Sequence, residues 1–141
     1  MIYRSISDGY LVRLEKSEEV ISALTQFVKN EKIPAGFITG MGAVNDAVLG
    51  IYIPAKKEYF RKEFKGDLEV GNLTGNIAWL SDTDEPFVHC HVTVANHSLE
   101  AFTGHLFQAT VSVTLEVHIC KFKKKLIRKK ETSSGFNFWD L

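Results

Sequence analysis

With only two cysteines, Cys90 and Cys120, in 141 residues, the chain has too few thiols for a disulfide framework, and their separation fits no zinc or redox motif. Both lie among apolar neighbours, which predicts buried free thiols. No run comes near the roughly 20 apolar residues of a membrane span. The stretch from Met1 to Tyr10 carries Arg4 and Asp8 and has no continuous apolar segment, so it does not read as a secretory signal. Together these absences lead us to expect a cytoplasmic protein without a membrane partner. Neither sign of charge dominates, since Lys plus Arg and Asp plus Glu stand at 17 each; this argues against a nucleic-acid coat or an acidic tail spread over the whole molecule. A P-loop, a dinucleotide fingerprint, a nucleophile elbow and a His-Glu-x-x-His helix are also missing, and the commonest enzyme classes go with them.

What is present is a chain able to build a core: 45% of residues are hydrophobic and 24% charged, and the length suits one domain over residues 1–141. Residues 2–7 and 10–14 alternate weakly about Asp8-Gly9, which predicts an opening hairpin. Ser17 is placed to cap a helix over 18–31, with Glu18 and Glu19 in its first turn and Lys29 and Lys32 at the far end. Val20, Ile21, Leu24, Phe27 and Val28 recur at helical spacing and form its apolar stripe. The runs 37–39, 47–53, 58–64, 68–80, 87–95, 100–102 and 106–122 are rich in β-branched and aromatic residues and read as strands. Glycines at 36, 40, 42, 50, 66, 71 and 75 are dense for such sequence and mark bulges or corners. The expected class is α+β: a strongly bent, mainly antiparallel, barrel-like sheet flanked by one main helix.

Chemistry concentrates in Phe87-Val88-His89-Cys90-His91-Val92-Thr93-Val94. The period of two in a strand sends Val88, Cys90, Val92 and Val94 to one face and His89, His91 and Thr93 to the other. Two imidazoles then project side by side, about 6–7 Å apart at the backbone, close enough to bend onto one ion. His105, after Gly104, heads the next long strand segment and can be brought opposite the pair by antiparallel pairing. Three imidazoles without a thiolate form the ligand set of an open zinc site, although His-x-His on a strand is also a common surface feature. In residues 111–119 the odd positions are expected to face the core, leaving Glu116 and His118 on the polar face. Glu116 is then a fourth ligand, an imidazole anchor or a general base, or else an ordinary surface carboxylate. His97 falls in a turn and faces solvent.

Charge is segregated along the chain: residues 121–141 hold 7 basic and 2 acidic side chains. Lys121, Lys123, Lys124, Lys125, Arg128, Lys129 and Lys130 form the one basic cluster. Such a cluster can bind nucleic acid through phosphate neutralisation. Equally, with Phe122, Leu126 and Ile127 interleaved, it reads as an edge strand whose lysines block aggregation. The aromatic tail 131–141, with Phe136, Phe138 and Trp139, is expected to dock on its own or a neighbouring subunit.

Four ordered blocks resemble one family: Gly42-Ala43-Val44-Asn45-Asp46-Ala47-Val48-Leu49; Gly66-Asp67-Leu68-Glu69-Val70-Gly71-Asn72-Leu73-Thr74-Gly75-Asn76-Ile77; His89-Cys90-His91; and Gly104-His105-Leu106 through Glu116-Val117. In order and spacing they are similar to the PPC (PCC) domain, conserved in plants and prokaryotes, over residues 4–130. The resemblance implies a bent antiparallel sheet with a flanking helix, a homotrimer, a DNA-binding role of the prokaryotic type, and a metal held by His89, His91 and His105. No Arg-Gly-Arg-Pro AT-hook is present, and the plant interaction motif survives only in part at Gly66–Gly71. Two readings follow. One is a transcription-linked binding module using residues 121–130; the alternative is a zinc-dependent hydrolase or lyase acting on a small polar substrate, with Glu116 as proton acceptor.

Overall fold

In a computed structural model describing residues 1–141, the chain forms β1 (Ile2–Ile6), β2 (Gly9–Glu15), α1 (Val20–Asn30), β3 (Gly36–Ile53), β4 (Glu58–Leu80), β5 (Pro86–Ala95), β6 (Ala101–Lys121), β7 (Ile127–Lys130) and β8 (Asn137–Trp139). The opening hairpin exists, but its turn is Ser7-Asp8, and Gly9 already pairs with Ile6. Three strands run to 18, 23 and 21 residues, far beyond the usual five or six. The breaks expected after 39, 64 and 102 are therefore bends within continuous strands. Register shifts supply the bending, between Gly40 and Gly42 and between Asn45 and Ala47 in β3 against β4, and between Gly42 and Val44 against β6. Gly42 has φ +151°, and a Cβ there would stand 2.2 Å from the Thr114 carbonyl oxygen, so only glycine allows β6 to pass this close.

β3 pairs with β4 and β6, and β5 also pairs with β4 and β6, so these four strands form a ring. Closure is partial. The β1–β2 hairpin extends the sheet from β6, while β7 and β8 extend it from the end of β4, leaving edges at β1 and β8. Pairing is antiparallel except between β4 and β7. The strand run is mostly as expected for α+β with one helix, but the ring stops short of a barrel.

α1 is shorter than expected and begins differently. Its cap is Glu19, whose carboxylate accepts from the Ile21 N–H at 3.1 Å and the Ser22 N–H at 2.7 Å. Ser17 lies outside the helix with φ 74°. Glu19 wins because the same carboxylate also accepts from Ala109 N–H at 3.4 Å on β6, anchoring the helix start to the sheet. Val20, Leu24, Phe27 and Val28 are buried, joining 26 core residues in one cluster with Leu14, Ile38, Leu73, Ile77, Leu115 and Ile119. The alternation predicted for 111–119 fails at Val113, which is 70% exposed. Cys90 is buried and Cys120 half-buried, both as free thiols, and burial pushes the Cys90 thiol up to about 12. No helix is long and apolar enough to cross a membrane.

Candidate metal centre

β5 alternates as its sequence demands: Val88, Cys90, Val92 and Val94 are buried, while His89 and Thr93 are half-buried and His91 is exposed. His105 stands directly opposite His91 in the β5–β6 ladder. The two strands thus bring three imidazoles from one short segment and one distant position onto a single face. His89 Nε2 and His105 Nδ1 are 3.2 Å apart, and ring centroids are separated by 5.2 Å for His89 and His91, 5.0 Å for His89 and His105, and 5.6 Å for His91 and His105.

One ligand atom from each histidine lies within 4.8 Å of the other two. A tetrahedral zinc with bonds of about 2.0–2.1 Å sets its nitrogen ligands roughly 3.4 Å apart. The closest pair already meets that spacing, and small ring rotations bring in the third. The donor set also fits: three neutral nitrogens and no thiolate, with the buried Cys90 turned to the core.

The backbone is arranged for this. Gly75 on β4 faces Cys90, between the two histidines of β5. A Cβ on it would stand 2.5 Å from the His89 carbonyl oxygen and 2.7 Å from Cys90 Sγ. We therefore expect Gly75→Ala to push β5 outward, costing about 1–3 kcal/mol and weakening metal retention together with stability. Urea unfolding beside metal analysis checks this, and an unchanged midpoint with full metal content would contradict it.

Burial is the main reason His89 and His105 are both held down to about 4; for His89 the neighbouring His105, Arg128 and His91 add to it, and for His105 the neighbouring His91 and Arg61. The rings are neutral at pH 7, the protonation state in which an imidazole can give a lone pair to a metal. The sign for stability follows. Unfolded imidazoles titrate near 6.5 and take up protons before the folded ones do. Chelator-treated protein should hold its full stability above about pH 6.5 and lose it as pH falls toward 4. Urea midpoints at pH 7.5 and pH 5 test this, and equal midpoints would refute it.

One further side chain belongs to the site, although its sequence context places it in the basic cluster. Arg128, on β7, is 8% exposed. Its Nη2 donates to Asn76 Oδ1 at 2.9 Å and lies 3.4 Å from His89 Nδ1, while Nη1 donates to the Asn137 carbonyl at 2.6 Å. Buried and held by Asn76 and Asn137, it is not free to contact a duplex phosphate backbone as an exposed lysine is. On the other side an aromatic wall encloses His105, with the Phe107 ring at 4.6 Å and the Tyr59 ring at 5.3 Å.

The remaining candidates lie apart. Glu116 is exposed and pairs with Arg13 and Met41, eleven residues along β6 from His105, so it neither completes the histidine set nor serves it as a base. His97 is exposed, and His118 is half-buried opposite Leu11 and Thr39. The basic cluster is not one edge strand. Residues 122–126 connect β6 to β7, and β7 lies between β4 and β8. Lys125 pairs with Asp84, and Lys129 with Asp140. Lys121, Lys123, Lys124 and Lys130 are exposed and form no ion pair. The aromatic tail docks on its own chain: β8 pairs with β7, and the Phe136 ring packs 4.6 Å from that of Tyr52.

The family model of the Plants and Prokaryotes Conserved (PCC) domain matches residues 1–123. A candidate DNA-binding protein from Bacteroides thetaiotaomicron is 31% identical, with a TM-score of 0.93 over 99% of this chain and 96% of that one. A plant- and prokaryote-conserved protein from Pyrococcus horikoshii is 32% identical, with a TM-score of 0.84 over 100% and 98%. A metal-containing protein from Archaeoglobus fulgidus is 29% identical, also with a TM-score of 0.84, over 99% and 98%. No curated protein matches.

Proposed function

Because the chain belongs to the Plants and Prokaryotes Conserved domain family, we propose that it acts as a DNA-associated, transcription-linked homotrimer that holds zinc on His89, His91 and His105. The observation that carries the metal half is the convergence of three ligand atoms within 4.8 Å from two paired strands. The metal-containing relative from Archaeoglobus fulgidus supports it. For DNA, support comes from the Bacteroides relative and from the four unpaired lysines of residues 121–130. Exposed lysines of this kind provide salt-dependent, sequence-independent phosphate contact.

Support for self-association lies on the outer sheet. Ile2, Leu11, Phe37 and Met41 are all about half exposed or more, with Met41 at 62%. Ile2, Leu11 and Met41 line a groove of about 590 Å³ across β1, β2, β3 and β6. Apolar side chains concentrated on one face are the usual mark of an interface. Metal analysis and light scattering on untagged protein test the zinc and the trimer: near one zinc per chain and three times the chain mass are expected, and a metal-free monomer would overturn both; retention of duplex DNA against salt tests the DNA association.

A second reading is favoured by one feature, the exposure of His91, which leaves a side of the centre open to solvent. Bound zinc there would supply Lewis acidity and an acidified water, as a hydrolase or lyase of a small polar substrate requires. Glu116 is not its proton acceptor. Turnover that depends on zinc and survives loss of the four lysines would favour this reading over the first.

A further inference from the structure

The three histidines stand among positive charges with no negative one to match. A guanidinium as buried as that of Arg128 ordinarily has a carboxylate partner. Here it donates only to neutral acceptors, the Asn76 amide oxygen and the Asn137 carbonyl, its one other polar neighbour is the His89 ring, and its Nε has no partner at all. Across the centre, the Arg61 guanidinium lies 3.8 Å over the Phe107 ring, which itself packs 4.6 Å from the ring of His105. Neither Arg61 nor Arg128 forms an ion pair with a carboxylate.

A dication placed on three neutral imidazoles keeps its full charge. Structural zinc sites avoid this by closing with a fourth protein ligand, commonly an anionic thiolate. This chain offers neither a fourth ligand nor a carboxylate, and Phe107 and Tyr59 thin the water that would otherwise screen the excess charge.

Resting on the metal reading above, we infer that the loaded centre is a receptor for a small oxyanion, a carboxylate or a phosphate, taken at the open side of the ion within the field of Arg61 and Arg128. The anion supplies the negative charge that the protein withholds. It also gives the buried Arg128 an electrostatic counterpart. An oxyanion suits the place better than a neutral ligand, because a neutral molecule would leave the buried Arg128 guanidinium and a dication uncompensated in a partly desolvated pocket.

The test begins with zinc content, measured on the untagged protein. Zinc-loaded protein in low-chloride buffer is then titrated calorimetrically with sodium acetate and, separately, with inorganic phosphate, beside chelator-treated protein and the variants Arg61→Gln and Arg128→Gln. Arg61 is exposed, so its replacement leaves the core intact. We expect saturable binding of at least one oxyanion by the loaded parent, at least about tenfold weaker in Arg61→Gln, and none after chelation. Acetate alone binding identifies a carboxylate receptor; phosphate alone identifies a phosphate receptor. Zinc present with neither anion bound overturns this inference and leaves the metal reading standing, as does equal binding by the parent and both variants. A parent protein that takes up no zinc overturns both.

Discussion

Replacing His89 and His91 by alanine together should strip the protein of metal, from near one zinc per chain to below about a tenth, while leaving the fold in place. Both ligands come from the outward face of β5. The inward face that holds the strand in the core, Val88, Cys90, Val92 and Val94, is untouched. A lone His105 cannot hold zinc against buffer, because one imidazole lacks the chelate effect of three converging donors. Elemental analysis of parent and variant reads the result directly, and equal zinc in the two would remove the centre from consideration. The energetic counterpart is measurable as well. A metal that binds only the folded chain adds about 2.7 kcal/mol when present at a hundred times its Kd. Chelator should therefore lower the unfolding midpoint of the parent and leave that of the variant unmoved. Light scattering on the same samples separates two roles for the ion. A mass near 48 kDa, three times the 15.9 kDa chain, that persists in the variant makes the ion functional; dissociation on losing it makes the ion part of the assembly.

The residues of the centre differ in how legible they are in the sequence. His89 and His91 could be read together because the period of two is a local property, set by the strand they share. His105 could be placed beside them only as one of several antiparallel pairings, since register is fixed by the core and not by the segment itself. In the sequence Arg128 is one cation among seven. Nothing in its immediate neighbours says that the chain turns inward there, except Leu126 and Ile127, whose apolar pair marks the point where the basic run dips to meet Trp79 and Leu80. The long strands look divided at their glycines because a glycine that bends a strand and one that ends it are alike in sequence. Which applies depends on whether β4 and β6 lie close by, as they do at Gly42. Ser17 had the better cap propensity, yet Glu19 caps the helix because its longer carboxylate also reaches Ala109 on β6, a contact between residues 90 positions apart.

Salt dependence of DNA binding should move in opposite directions when opposite halves of the C-terminal ion pattern are altered. Lys121, Lys123, Lys124 and Lys130 are free of ion pairs, so each can release about 0.9 counterion on meeting a duplex phosphate. Changing all four to glutamine should lower the slope of log K against log salt by up to about 3.6 and abolish retention of duplex DNA at physiological ionic strength. Lys125 and Lys129 are already engaged by Asp84 and Asp140. The double variant Asp84→Asn/Asp140→Asn frees those two lysines and removes two charges that repel phosphate. It should therefore bind more tightly and steepen the slope by up to about 1.8. A nonspecific loss of folding cannot produce the second result, because improvement requires an intact segment. If neither variant changes binding or its salt slope, residues 121–130 are not where DNA is held. The lysines then serve only to keep the surface around β7 soluble, and the histidine centre becomes the chain's main chemistry.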